Sequence, residues 1–446
     1  MIVDHTRVGA AFRRLSIPSG VAQLGDQLLG IADTIAIGTL GTVALAGATA
    51  ANVAFVIVLF AMSGFLTGMS IIGSQRIGAR DVEGYASAVR AGAVAPLVIA
   101  FAAIVASFGL ATPAIHAMVG PIASLHASAT YLILRCFCLI PIAVSGTLIV
   151  GLGAAGNRKL GILVLAIINI VHIPLLLVLA LGWLTHRPYG IVGAGVSSLV
   201  SELIAMVFAI AYAARRPVYA SFKRLTIDVA LAIETARLSL PEAVFLLGVM
   251  LPDAFIIAML APFGTALVAG YRALNVVSDL TFVVPSPLQS ATQTVIGQRL
   301  GARDIAGAQH FFVRARRLSF LIASATGCVV ALLAWPLAYL FTLNASVATL
   351  AALPLALHMT TLPIKGWAMV SLAPIRASGD TQFSMFVGLV TVVLAIPAAY
   401  VSITILHLGL FGVPIAWIFA WTARALMTAV KLRNRSWTTR APLTSG

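Results

Sequence analysis

An all-α polytopic membrane protein, with twelve transmembrane helices in two pseudo-symmetric six-helix lobes, is the fold class this sequence predicts. Three observations carry it. The chain is 61% hydrophobic and 9% charged over 446 residues, with a mean hydropathy of +1.05. Its basic residues crowd into alternate connections, and its two halves repeat each other in register.

A water-soluble core cannot hide that much apolar surface, so lipid is the expected solvent. At about 20 residues per span the chain has room for about twelve helices and no separate soluble domain. The apolar runs place spans at 15–38, 43–72, 87–110, 126–151, 160–182 and 190–213, and again at 238–261, 266–295, 314–341, 346–374, 383–406 and 411–430.

A net charge of +15 raises the question of a nucleic-acid partner. The distribution answers it. All but four of the 28 Lys and Arg residues fall on one side, in the N-terminal arm, the alternate loops and the tail. Arg187 is alone in the opposite loops, and Arg135, Arg272 and Lys365 lie within spans. Under the positive-inside rule both termini are expected in the cytoplasm, at the cell inner (plasma) membrane. The basic balance therefore reflects topology. The start is polar and basic and no small-residue cleavage site follows, so a cleaved signal peptide is not expected. Cys136, Cys138 and Cys328 lack metal-ligand or CxxC spacing, and no metal or other cofactor is expected.

Sliding the chain against itself by 223 residues sets Leu15 and Pro18 on Leu238 and Pro241, Gly41 on Gly264 and Gly47 on Gly270. QRIGARD at 75–81 falls on QRLGARD at 298–304, and Gly156 and Asn157 fall on Gly379 and Asp380. The expected organisation is a cytoplasmic arm (1–14), an N-lobe (15–214), a cytoplasmic linker (215–237), a C-lobe (238–430) and a cytoplasmic tail (431–446). Six helices per half make the repeats parallel, with a substrate cavity expected between them.

Pro18 followed by ADTIAIGTLG at 32–41, ALAG at 44–47, QRIGARD, and IRASGDT at 375–381 resemble the MATE (multidrug and toxic compound extrusion) family across both halves. The resemblance implies a monomeric secondary active efflux transporter. It would export small organic, cationic or amphipathic compounds by proton- or sodium-coupled antiport with alternating access, without ATP hydrolysis. No Walker-type loop contradicts it.

Ionisable groups at membrane depth cost about 2.5–3.5 kcal/mol each on insertion scales, so each asks for a reason. Asp33 matches the family's cation-coupling aspartate. Asp26, seven residues earlier, lies within about 20° on the same helix face; two carboxylates together would favour a proton over sodium. Asn169 matches a polar family position, and a sodium site would use Asp33 and Asn169. The neighbouring position that can be acidic in relatives is Ile173. His172 shares a helix face with Asn169 and is a candidate proton carrier, or a histidine satisfied by packing.

The C-lobe departs from the drug exporters. The glutamate expected eight residues after Pro241 is replaced by Val249, and Asp253, one turn on, is the candidate substitute. Glu242 is expected near a helix end. Lys365 stands where some relatives have an acid. It would pair with Asp253 or meet an anionic substrate. Arg135 resembles a structural base of some branches, while Glu202, Asp279 and Arg272 have no assigned role. The rival readings are a lipid-linked oligosaccharide flippase, an exporter of a specialised, even anionic, metabolite, a membrane-embedded enzyme and a channel. An enzyme would need clustered acids or a His-Asp set at one membrane face, and the sequence offers none.

Overall fold

The computed structural model describes residue 9 and residues 12–184, 188–216, 226–248, 251–434 and 436–439. Most of the N-terminal arm, Arg187, positions 217–225 of the linker, Val249 and the last seven residues lie outside that set.

Among the described residues every regular element is a helix. The first half comprises α1 (Ile17–Gly38), α2 (Thr42–Gly64), α3 (Leu66–Gly78), α4 (Val82–Val119), α5 (Leu125–Ala154), α6 (Lys159–Leu179) and α7 (Gly190–Ala214). The second comprises α8 (Val229–Gly248), α9 (Leu251–Leu260), α10 (Thr265–Thr281), α11 (Pro285–Gly301), α12 (Ile305–Leu332), α13 (Ala334–Thr342), α14 (Ala345–Met359), α15 (Thr361–Ala377), α16 (Thr381–Tyr400) and α17 (Gly412–Arg433).

Among the described residues eleven helical stretches are long and apolar enough to cross a membrane. The twelfth expected span, α1, has the length, at 22 residues. It lacks the apolarity, because Gln23, Asp26, Gln27 and Asp33 interrupt it. Several expected spans are two segments instead of one. The breaks at Thr281–Pro285, at Leu333 and at Thr360 are each followed by a proline in the first turn of the next segment, where a missing N–H removes no helical bond.

The seventh expected span starts earlier than the sequence indicated. Asp228 accepts from the backbone N–H of Leu231 at 3.1 Å and opens α8 at Val229, nine residues before the expected start. Glu242 therefore lies in the helix interior and is buried, which corrects its placement at a helix end.

The internal repeat is written into the turns. Gly41 and Gly264 adopt φ of 105° and 112°, and Gly156 and Gly379 adopt 85° and 83°. Arg80 and Arg303, non-glycines, both occupy the left-handed region, at 63° and 58°. Each follows the same local circuit. Arg76 bonds Asp81 at 2.8 Å while Asp81 caps α4 by accepting from the Gly84 N–H. Arg299 bonds Asp304 at 2.6 Å while Asp304 caps α12 through the Gly307 N–H. In the turn before α6, burial lowers the Arg158 guanidinium to about 10, still protonated at neutral pH.

The chain divides into two compact units, one made of Val21–Ile77 and Asp81–Ala243, the other of the chain up to Gly20, Gly78–Arg80 and the chain from Val244. In the N-terminal unit α5 packs on α4, α2 and α7, and α7 packs on α6. In the C-terminal unit α15 packs on α11, α12 and α17, and α10 packs on α14. Small residues make these approaches possible. A Cβ at Gly366 of α15 would sit 2.8 Å from the Ala323 methyl of α12 and 3.1 Å from the Ser319 carbonyl.

Candidate functional site

Polar side chains gather at membrane depth in each unit, and each gathering is built from the helices just named. In the N-terminal unit the centre is Asp33 on α1. Its Oδ1 lies 2.7 Å from Nε2 of His172 on α6, with the histidine side chain 3% exposed and the aspartate 22%. His172 is buried on α6, among the most apolar of the spans, and the carboxylate is the partner that makes its burial tolerable.

Around this pair the charges are shared among four helices. Arg135 on α5 lays its guanidinium over the Phe55 ring of α2, 4.1 Å from the centroid, and donates to Ser198 of α7 at 3.3 Å. Its charge acts on Asp33, on Asp26 and on Glu202 of α7. Glu202 in turn feels Asp26 and His172. Asn169 donates its Nδ2 to the Leu165 carbonyl of its own helix at 2.9 Å, and among the described residues no hydrogen bond ties it to Asp33. The structure thus brings Asp33, His172, Arg135 and Glu202 into one electrostatic cluster.

The C-terminal unit holds a different arrangement. Asp253 on α9 accepts from the Tyr271 hydroxyl of α10 at 2.5 Å, and Asn275 donates to that same hydroxyl at 3.3 Å. Lys365 on α15, 3% exposed, donates to Ser278 at 3.2 Å. The Ser278 Oγ also lies 3.0 Å from Nε2 of His358 on α14. The ammonium sits over the rings of Phe282 and Trp421, at 4.9 and 5.8 Å from their centroids. Among the described residues Lys365 and Asp253 form no ion pair, which corrects the direct pairing expected of them. Tyr271 occupies the carboxylate instead, and Lys365 feels Asp253 and Asp279 only through space. Arg272 is exposed on α10.

Several members of these clusters carry little sequence signal. Ser198, Ser278 and Tyr271 look like ordinary helix residues. His358 is legible only in hindsight of its spacing, two turns before Lys365 and hence on the same face. Glu202 is visible as an intramembrane acid, but its neighbours come from helices distant in sequence.

With this geometry in view, the sequence profile described as MatE matches residues 18–178 and 241–401, two segments separated by the same 223-residue offset as the internal repeat. The chain is similar to the uncharacterized transporter YisQ of Bacillus subtilis, 24% identical over 34% of this chain and 33% of that protein. It is also similar to the multidrug resistance protein MdtK of Photorhabdus laumondii, 25% identical over 46% of each. The chain spans less than half the length of the curated relatives it matches. Solved structures cover far more. An outward-facing multidrug resistance MATE family transporter superposes with a TM-score of 0.87 at 21% identity over 96% of both chains. A Pyrococcus furiosus transporter of the same superfamily, described as having a binding pocket of reverse polarity, gives 0.87 at 21% identity over 95% of both. At that identity the likeness is one of fold.

Proposed function

The chain belongs to the MatE family, and from that premise we propose that it is a secondary active exporter of small organic, cationic or amphipathic compounds, driven by inward movement of a proton or sodium ion. It is a multi-pass membrane protein, and the excess of Lys and Arg on one side supports a plasma-membrane location with both termini cytoplasmic. The observation that carries the reading is the Asp33–His172 pair at 2.7 Å on membrane-spanning helices. A carboxylate at this depth is expensive unless it does work that a neutral residue cannot. Binding and releasing a cation in alternate conformations is such work.

Support for placing coupling in the N-lobe comes from the other lobe. There the buried Lys365 lies within electrostatic reach of Asp279 and Asp253 and offsets part of their charge. The test uses proteoliposomes holding the purified protein, with an imposed proton or sodium gradient and ethidium as probe. Gradient-driven ethidium movement in wild type, lost in a folded Asp33→Asn variant, is expected. No flux under either gradient would sink the reading.

A second reading, export of an anionic metabolite, is favoured by the same Lys365. The Pyrococcus furiosus neighbour, whose pocket is described as reversed in polarity, offers a parallel in fold. Gradient-driven movement of carboxyfluorescein with none of ethidium would select it.

A further inference from the structure

Within the antiport reading above, on which it rests, we infer that His172 carries the coupling proton and that its contact with Asp33 excludes sodium from the N-lobe site. A lone intramembrane aspartate suits either ion. Its neighbours decide which one it takes.

Sodium is a hard cation that asks for several oxygen ligands around one centre, as carboxylates, carbonyls and waters provide. Here Oδ1 of Asp33 faces a ring nitrogen at 2.7 Å, a separation that holds one hydrogen and leaves no room for an ion between the two atoms. Two nearby side chains direct their hydrogen bonds within their own helices. Thr34 donates its hydroxyl to the Gly30 carbonyl at 2.8 Å, and Asn169 donates its amide to Leu165. For sodium to coordinate Asp33 on that side, His172 must first leave.

Imidazole, by contrast, gains and loses a proton in the ordinary physiological range. Asp33 on α1 contacts it and Glu202 on α7 acts on it through space, and behind them the cluster holds Asp26 on α1 and Tyr131 and Arg135 on α5. Loading transfers a proton from hydronium, which departs as water, onto a ring nitrogen. The new N–H bond turns imidazole into imidazolium and takes the Asp33–His172 pair from one net negative charge to zero. Release to water on the other side reverses it. The unloaded, negative pair attracts an organic cation, and the loaded, neutral pair does not, so proton and exported cation compete. That competition is a coupling free energy with a defined sign.

The experiment uses the full chain in proteoliposomes with ethidium as the probe. In wild type a pH gradient without sodium is expected to drive flux, and a sodium gradient at symmetrical pH is expected to drive none. Flux driven by sodium alone overturns the inference while leaving antiport standing. Flux under neither gradient overturns both. His172→Asn, checked for a monodisperse elution profile, is expected to lower pH-driven flux about tenfold or more. Retained pH-driven flux in that variant overturns the inference. His172→Asp, which supplies two oxygens beside Asp33, is expected to acquire sodium-driven flux, and a variant driven only by protons counts against the exclusion mechanism. If neither variant folds, the wild-type ion dependence still decides.

Discussion

Arg135 and His358 stand 223 residues apart, at equivalent points of α5 and α14, and the residue each one touches is equivalent as well. Arg135 lies over Phe55, and His358 bonds Ser278, which is 223 residues after Phe55. Duplication has kept the contact and changed its chemistry. In the N-lobe the site is a cation on an aromatic face, and in the C-lobe it is a neutral hydrogen-bonded pair. The cation of the C-lobe has moved two turns along, to Lys365. The lobes share a skeleton, and their buried charges are arranged independently on it.

Lys365 tests that independence. We predict that Lys365→Met, which keeps length and apolar contact with Phe282 and Trp421, leaves the melting temperature in detergent nearly unchanged or raises it. Lys365→Glu, which sets a third acid beside Asp253 and Asp279, is expected to destabilise by about 3–5 kcal/mol. Equal melting of the two variants would show that the ammonium is not buried as described.

Tyr271 and Asp253 form the shortest polar contact of the C-lobe cluster. Tyr271→Phe leaves a half-buried acceptor without its donor, and a loss of about 1 kcal/mol is expected. Thermal unfolding followed by near-ultraviolet dichroism measures it. Asp253→Asn, which can still accept from the hydroxyl, is expected to lose less.

The paired turns yield a gain as well as a loss. Arg80→Gly and Arg303→Gly relieve a left-handed backbone and are each expected to stabilise by about 1 kcal/mol. Asp81→Ala and Asp304→Ala remove a cap and are each expected to cost about 1 kcal/mol. The ion pair at Asp304 adds little to that, because its carboxylate is 47% exposed. Melting curves of the four variants check both signs, and opposite behaviour of the two turns would argue against their equivalence.

Gly366 sets how closely α15 approaches α12. Gly366→Leu forces a side chain into the space of Ala323 and Ser319, and a loss of about 1–3 kcal/mol is expected. Because Lys365 is the preceding residue, the same variant is expected to disturb the Ser278 contact. The nitrogen chemical shift of a labelled Lys365 ammonium reads that displacement.

Much of the scaffold is legible in the sequence because its signals are local or periodic. Apolar run length places the spans, loop charge proposes their orientation, and the repeated QR-x-GARD string predicts two turns that prove to share dihedral angles. The limits of that reading are physical too. Run length cannot see the break at Thr360, since hydropathy is blind to a backbone that pauses within an apolar stretch. Composition cannot see that α8 begins at Val229, because the polar linker and the helix start run together. In the N-lobe cluster, Asp33 and His172 are each noticeable as polar residues in apolar surroundings, but their contact spans 139 positions and needs the fold. In the C-lobe the expected Lys365–Asp253 pair follows from charge alone, and it is displaced by the Tyr271 hydroxyl, a neutral competitor that charge counting ignores.

The polarity of α1 has a further meaning for the chain as it leaves the ribosome. A segment bearing Asp26 and Asp33 is opposed in entering the bilayer by about 2.5–3.5 kcal/mol for each aspartate placed near the centre. Alone in the translocon, α1 is a poor anchor. The stretch that follows, Thr42–Gly78, is strongly apolar and has the means to hold the nascent protein in place. Insertion and the proposed cation coupling make opposite demands on one helix, since the acids that would serve the second hinder the first.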